Sequence, residues 1–255
     1  QNLERFKWLG KMIVTERPDT IIGIGDWGCF DSLSSYDARG SRNDINQNSL
    51  VEECMSVRES LKILFAPLKK LEKTQARRAN LYRPRKIITA GNHEERKERL
   101  DNLYPHWAPA IDIWELCGYR NVDVVGQTPF LVYPYKHVVE IDGINYVHIP
   151  YSKGGRPFGG VNVARTVALS SERHTIFGHT HNSSINNVPV FTNENAVRFA
   201  FNIASFLPHQ QQEPYCQGDV NGWQYMVAKV WPSGDPHVAP DVETVQVWRL
   251  KEQYS

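Results

Sequence analysis

The sequence predicts a single α/β domain over residues 1–255, with an antiparallel-rich second half. Three observations lead there. Short apolar runs that end in glycine and a polar residue alternate with amphipathic stretches in the first part of the chain. After about residue 120, short β-branched runs follow one another between turn residues. No linker, repeat or low-complexity tract interrupts the chain.

The elements read as follows. Leu3 to Thr15 carries Phe6, Leu9, Met12, Ile13 and Val14 on one helical face, and Pro18 and Asp19 stop it. Thr20 to Gly25 is a short buried strand, followed by a polar loop from Asp26 to Asn48. Ser49-Leu50-Val51-Glu52 has the form of a capping box. The helix it opens runs through Val51, Cys54, Leu61, Leu64, Phe65, Leu68 and Leu71, and Pro67 is expected to kink or divide it. Lys86 to Ala90 is a second buried strand. Val122 to Val125 reads as a strand, and Val138 to Ile149 as a hairpin turning at Asp142-Gly143. Further strands are expected at His174–Phe177, Val188–Thr192, Val197–Ile203, Tyr225–Val230 and Val242–Trp248.

Composition narrows the function. Apolar residues make up 41% and charged residues 22%, which excludes disordered, collagen-like and coiled-coil classes. Lys+Arg is 29 against Asp+Glu 28, so the chain does not coat nucleic acid by net charge. A local basic stretch does run from Lys69 to Lys86, through Lys70, Lys73, Arg77, Arg78, Arg83 and Arg85. It suits either a phosphate backbone or a solvated helix face. Cys29, Cys54, Cys117 and Cys216 are widely spaced, which fits free thiols in a reducing cytosol. No run approaches the roughly 18 apolar residues of a membrane span, and no signal peptide is read at the start.

Three motifs stand at strand ends: Gly25-Asp26, Gly91-Asn92-His93-Glu94 and Gly178-His179-Thr180-His181. His148 ends another strand, Asn145–His148. Loops at strand C-termini are where open α/β sheets build sites. Carboxylate, amide and imidazole donors together suit Mn, Fe or Zn, and the absence of a thiolate cluster argues against structural zinc. One carboxylate can bridge two ions about 4 Å apart, as in two-metal hydrolases. Lys153-Gly154-Gly155-Arg156 is either a phosphate-holding loop or an exposed turn. His209, after Phe206-Leu207-Pro208, is a further candidate to line a pocket. His106, His137, His174 and His237 read as structural or exposed.

In order and rough spacing, this set resembles the calcineurin-like metallophosphoesterase superfamily, whose motifs are D-x-H, G-D-x-x-D, G-N-H-D/E, a lone His and G-H-x-H. It is similar above all to phage and prophage phosphoesterases, through Asp31–Asp37, Gly91–Arg96 and Gly155–Gly160, within roughly residues 3 to 205. The resemblance implies an αββα sandwich of two mixed sheets flanked by helices, lacking its first strand here. It implies two divalent metals, Mn first and Fe or Zn next. Asp26 would bridge them, Asn92, His148 and His179 would complete one, and His181 would ligate the other. His93 would face the scissile phosphate, stabilising its charge or protonating the leaving oxygen, with a metal-bound hydroxide as nucleophile. Lys153 and Arg156 would bind substrate.

Two departures from the pattern carry consequences. Cys29 replaces the second Asp of G-D-x-x-D, a position read as lying behind the ligands. No D-x-H precedes Asp26, so that motif is expected upstream of Gln1, with one metal site incomplete in this chain. Asp235-Pro236-His237 has the letters but sits among turn residues. The expected reaction is hydrolysis of a phosphodiester, nucleotide or nucleic acid, in the host cytoplasm if the protein is phage-encoded. The alternatives are a degenerate non-catalytic binder of nucleic acid or a partner, and a protein phosphatase.

Overall fold

The computed structural model describes residues 3–35, 49–75, 81–191, 196–208 and 222–255. The chain is mixed α/β and divides into two compact units, Gln1–Tyr135 with Tyr254–Ser255, and Lys136–Gln253.

In the first unit, α1 (Glu4–Glu16) leads into β1 (Thr20–Gly23). Arg17 closes α1 in a left-handed conformation, its N–H donating to the Ile13 carbonyl. Helix α2 (Leu50–Gln75) starts at the expected capping box. Ser49 Oγ accepts from Glu52 N at 3.3 Å, and Glu52 Oε2 accepts from Ser49 N at 2.7 Å. The helix runs unbroken through Pro67, where a kink or division was expected. Helix α1 lies against it at Gly10, where a Cβ would meet the Leu64 carbonyl oxygen at 2.2 Å.

Strands β2 (Arg85–Thr89) and β3 (Phe130–Tyr133) complete a parallel sheet of order β1-β2-β3. Between them come α3 (Glu95–Leu103), α4 (Ile113–Cys117) and α5 (Val122–Val125). The last corrects the strand expected at Val122–Val125. Asn121 Oδ1 caps it by accepting from Asp123 N, and Val124 and Val125 are buried as a single helical turn. Trp27 centres an aromatic core, stacked on Phe6 and edge-on to Tyr119 and Phe130.

In the second unit, β4 (Val139–Ile141) and β5 (Ile144–Val147) form the expected hairpin. Its turn has positive φ at Asp142 (51°) and Gly143 (81°). With β6 (His174–Phe177), β7 (Ser184–Pro189) and β8 (Val197–Asn202) they make a mixed sheet of order β4-β5-β6-β8-β7. Helix α6 (Val163–Ser170) buries Val163, Ala164, Val167 and Ala168 with Val147, Phe177, Val188 and Ala200. Strands β9 (Met226–Trp231) and β10 (Asp241–Gln246) pair antiparallel. The strand expected to reach Trp248 ends at Gln246, because Val247 opens helix α7 (Val247–Tyr254) and turns its apolar face inward at Val247 and Leu250.

Cys29, Cys54 and Cys117 are free thiols, and Cys216 lies outside the described residues. Among the described residues, no helix is long and apolar enough to cross a membrane.

Candidate metal-binding residues

The expected donors fall in both units. In the first unit, Asp26 follows β1 in a left-handed backbone conformation, φ 52°, directly after Gly25 at φ 66°. A non-glycine residue is held there only when its surroundings over-determine it. Those surroundings are the turn Gly91–Glu94. The His93 backbone N–H donates to Asp26 Oδ1 at 3.0 Å. A Cβ on Gly91 would lie 2.0 Å from that same oxygen, so only glycine fits. The Glu94 carboxylate is 2% exposed and accepts from Asp26 N, Trp27 N and Gly91 N at 2.8–2.9 Å. Burial and the nearby Asp26 charge raise its pKa, and the three N–H bonds oppose that rise.

Further clamps hold the rest of this loop. The buried Arg96 guanidinium donates to the carbonyls of Cys29 and Phe30 and pairs with Asp31 at 3.0 Å. Trp27 Nε1 donates to Ser60 Oγ at 3.0 Å. Cys29 itself is exposed, and its backbone rather than its position among ligands ties it to Arg96. Asn92 and His93 are both half-buried in the turn. Glu95 and Arg99 pair at 3.0 Å on α3.

In the second unit, His148 is buried beyond the end of β5, and its Nε2 lies 3.3 Å from His179 Nδ1. Gly178 N donates to the His148 carbonyl at 2.9 Å, which sets the turn carrying His179 beside that residue. His179 and His181 both have positive φ, 78° and 58°. The His181 ring meets the Trp223 indole edge-on, with centroids 4.3 Å apart, and Gln224 N donates to the His181 carbonyl. Asp26 in the first unit and the His148–His179 pair in the second are donors of the kind that hold a metal ion.

Other expectations meet a different outcome. Lys86 is fully buried and cannot belong to a basic surface. Its ammonium donates to the Thr128 carbonyl at 2.8 Å and lies over the Phe65 ring. Lys69 is engaged with the Asp123 carbonyl, while Arg77, Arg78 and His209 lie outside the described residues. Lys153 and Arg156 are exposed on a loop closed by Ser152, whose Oγ accepts from Arg156 N and whose N–H donates to the Arg156 carbonyl. Asp235 Oδ1 accepts from His237 N within its own turn, as the flanking turn residues implied.

Sequence reasoning passed over Glu94, Arg96 and Asn202 as positioning residues. The first two stand within the Gly91–Arg96 stretch, so their letters were visible, but the loop they reach lies 67 to 68 residues upstream. The chain matches no protein-family model, no curated protein and no solved structure.

Proposed function

We propose that this chain hydrolyses phosphate esters, phosphodiesters first, with divalent metal ions held by Asp26, Asn92, His148, His179 and His181. The pair of ring nitrogens, buried His148 Nε2 and half-buried His179 Nδ1 at 3.3 Å, carries the proposal. One carboxylate, one amide and three imidazoles fit Mn, Fe or Zn and are a poor set for Ca. The order of the motifs supports a phosphoesterase of the calcineurin-like kind, with its two-sheet sandwich.

Bound metal would supply Lewis acidity and a lowered water pKa. This chain's residues supply the rest. Glu94 holds the Asp26 backbone, and the His93 N–H with the close approach of Gly91 holds its carboxylate in one orientation. His93 presents its imidazole to the scissile phosphate, where it stabilises charge or gives a proton to the leaving oxygen. Arg156 and Lys153 offer cations to non-reacting phosphate oxygens.

The test is metal content by mass spectrometry after Mn(II) loading and desalting, together with hydrolysis of bis(p-nitrophenyl) phosphate and p-nitrophenyl phosphate. Bound Mn(II), diester turnover and the loss of both in His179→Ala are expected. Metal uptake without turnover of either ester would favour the non-catalytic binder. No uptake at all would overturn the proposal.

A further inference from the structure

We infer that Asn202 is a positioning residue that holds the two histidines of the Gly178–Asn182 turn in their strained backbone conformation. This rests on the proposed metal role of His179 and His181.

Asn202 ends β8 and is fully buried. Its register places it opposite Phe177 on β6 and opposite Ser184 on β7, the residues that bracket the turn on either side. From there its single Nδ2 reaches two points of the turn, Thr180 Oγ1 at 2.5 Å and the Asn182 carbonyl at 2.6 Å. Each histidine is therefore next to an anchored residue. His179 lies at the centre of a γ-turn, with Thr180 N donating to the Gly178 carbonyl at 3.1 Å across a φ of 78°. γ-Turns with positive φ are rare and strained. His181 follows at φ 58°. Two strained residues on either side of Thr180 persist only where neighbours over-determine them.

The other end of the amide shows what this residue is kept for. Asn202 Oδ1 is buried and has no hydrogen-bond partner among the described residues. An apolar side chain of the same size would spare the fold that orphaned acceptor. What the amide provides in return is the two bonds to the turn. Partners behind metal-ligating histidines commonly set metal affinity by 10–100-fold.

The experiment compares Thr180→Val, Thr180→Ser and Asn202→Leu in the full chain. Valine keeps the shape of Thr180 and removes the oxygen that Nδ2 needs, whereas serine keeps the oxygen. Mn(II) affinity is read by calorimetry. The ring nitrogens of His148 and His179 are read in the metal-free protein by long-range 1H–15N spectra. Thr180→Val and Asn202→Leu are expected to weaken Mn(II) binding at least tenfold and to shift those ring-nitrogen signals. Thr180→Ser should stay within about twofold of the parent. A folded Thr180→Val with parental signals and parental Mn(II) affinity would overturn the inference. So would a lowered melting temperature with both readouts unchanged. If the parent chain takes up no Mn(II), the proposed function falls, and the ring-nitrogen signals alone decide the role of Asn202.

Discussion

The Glu94 carboxylate accepts from the backbone N–H of Asp26 and of Trp27, both at 2.9 Å, across 68 and 67 residues of sequence. A third bond, from Gly91 N at 2.8 Å, ties the same carboxylate to its own turn. Glu94 therefore acts as the clasp between two loops that sequence places far apart. Only an ionised or fully accepting side chain can face three N–H groups at once.

Glu94→Gln tests the clasp. The amide turns an NH2 toward at least one of the three donors and leaves it unsatisfied in the interior. The expected loss is about 2 kcal/mol of stability, read as a lower urea midpoint with the denaturant slope unchanged. Diester turnover should fall further than stability alone accounts for. A variant as stable and active as the parent would show that the three bonds do not position Asp26.

Gly91→Ala tests the close approach. The new methyl would stand 2.0 Å from Asp26 Oδ1, where backbone on one side and the Glu94 bonds on the other leave little room to give. Mn(II) uptake is expected to drop by tenfold or more with the far-ultraviolet circular dichroism unchanged. Parental uptake would mean that the Asp26 loop shifts without consequence.

Lys86 makes stability depend on pH in an alkaline window. Burial lowers its pKa to about 8, with the Glu72 charge opposing that shift. Between pH 8 and the usual 10.5, the unfolded chain holds a proton that the folded protein has released, so stability rises with pH. From pH 7.5 to 9.5 this group should add on the order of 1–2 kcal/mol. Lys86→Met removes the gain, and comparing the two proteins cancels the tyrosines and thiols common to both. Parallel urea midpoints across that range would refute the assignment.

Arg156→Ala separates a phosphate-holding loop from an exposed turn. The Ser152–Arg156 backbone bonds hold the loop without the guanidinium, so its loss should leave melting unchanged. KM for bis(p-nitrophenyl) phosphate is expected to rise about tenfold with kcat near the parent's. An unchanged KM would remove the loop from the substrate-binding residues.

Local signals in the sequence sufficed at two elements whose partners stand close by. Ser49 and Glu52 announce their helix because the two groups that satisfy each other stand three positions apart. Asp142-Gly143 announces its hairpin because the turn itself demands positive φ. The donor types at strand ends were legible for the same reason, since glycine and donor adjoin in the chain. Val122–Val125 is a helix where a strand was expected because three valines in four residues suit either a strand or one helical turn, and the Asn121 cap decided for the helix. Lys86 looked like surface charge because nothing local records that Thr128 and Phe65 enclose it.

What the sequence determined by itself is a mixed α/β chain, most of its strands, and three residues that could hold a metal ion, Asp26, His148 and His179. The tertiary structure decided how those residues are held: Asp26 by Glu94 and Gly91, and His179 and His181 above Asn202. The physical reason is register. Strand pairing sets Asn202 opposite Phe177 and Ser184, and no spacing along the chain specifies which residues a sheet will bring into line.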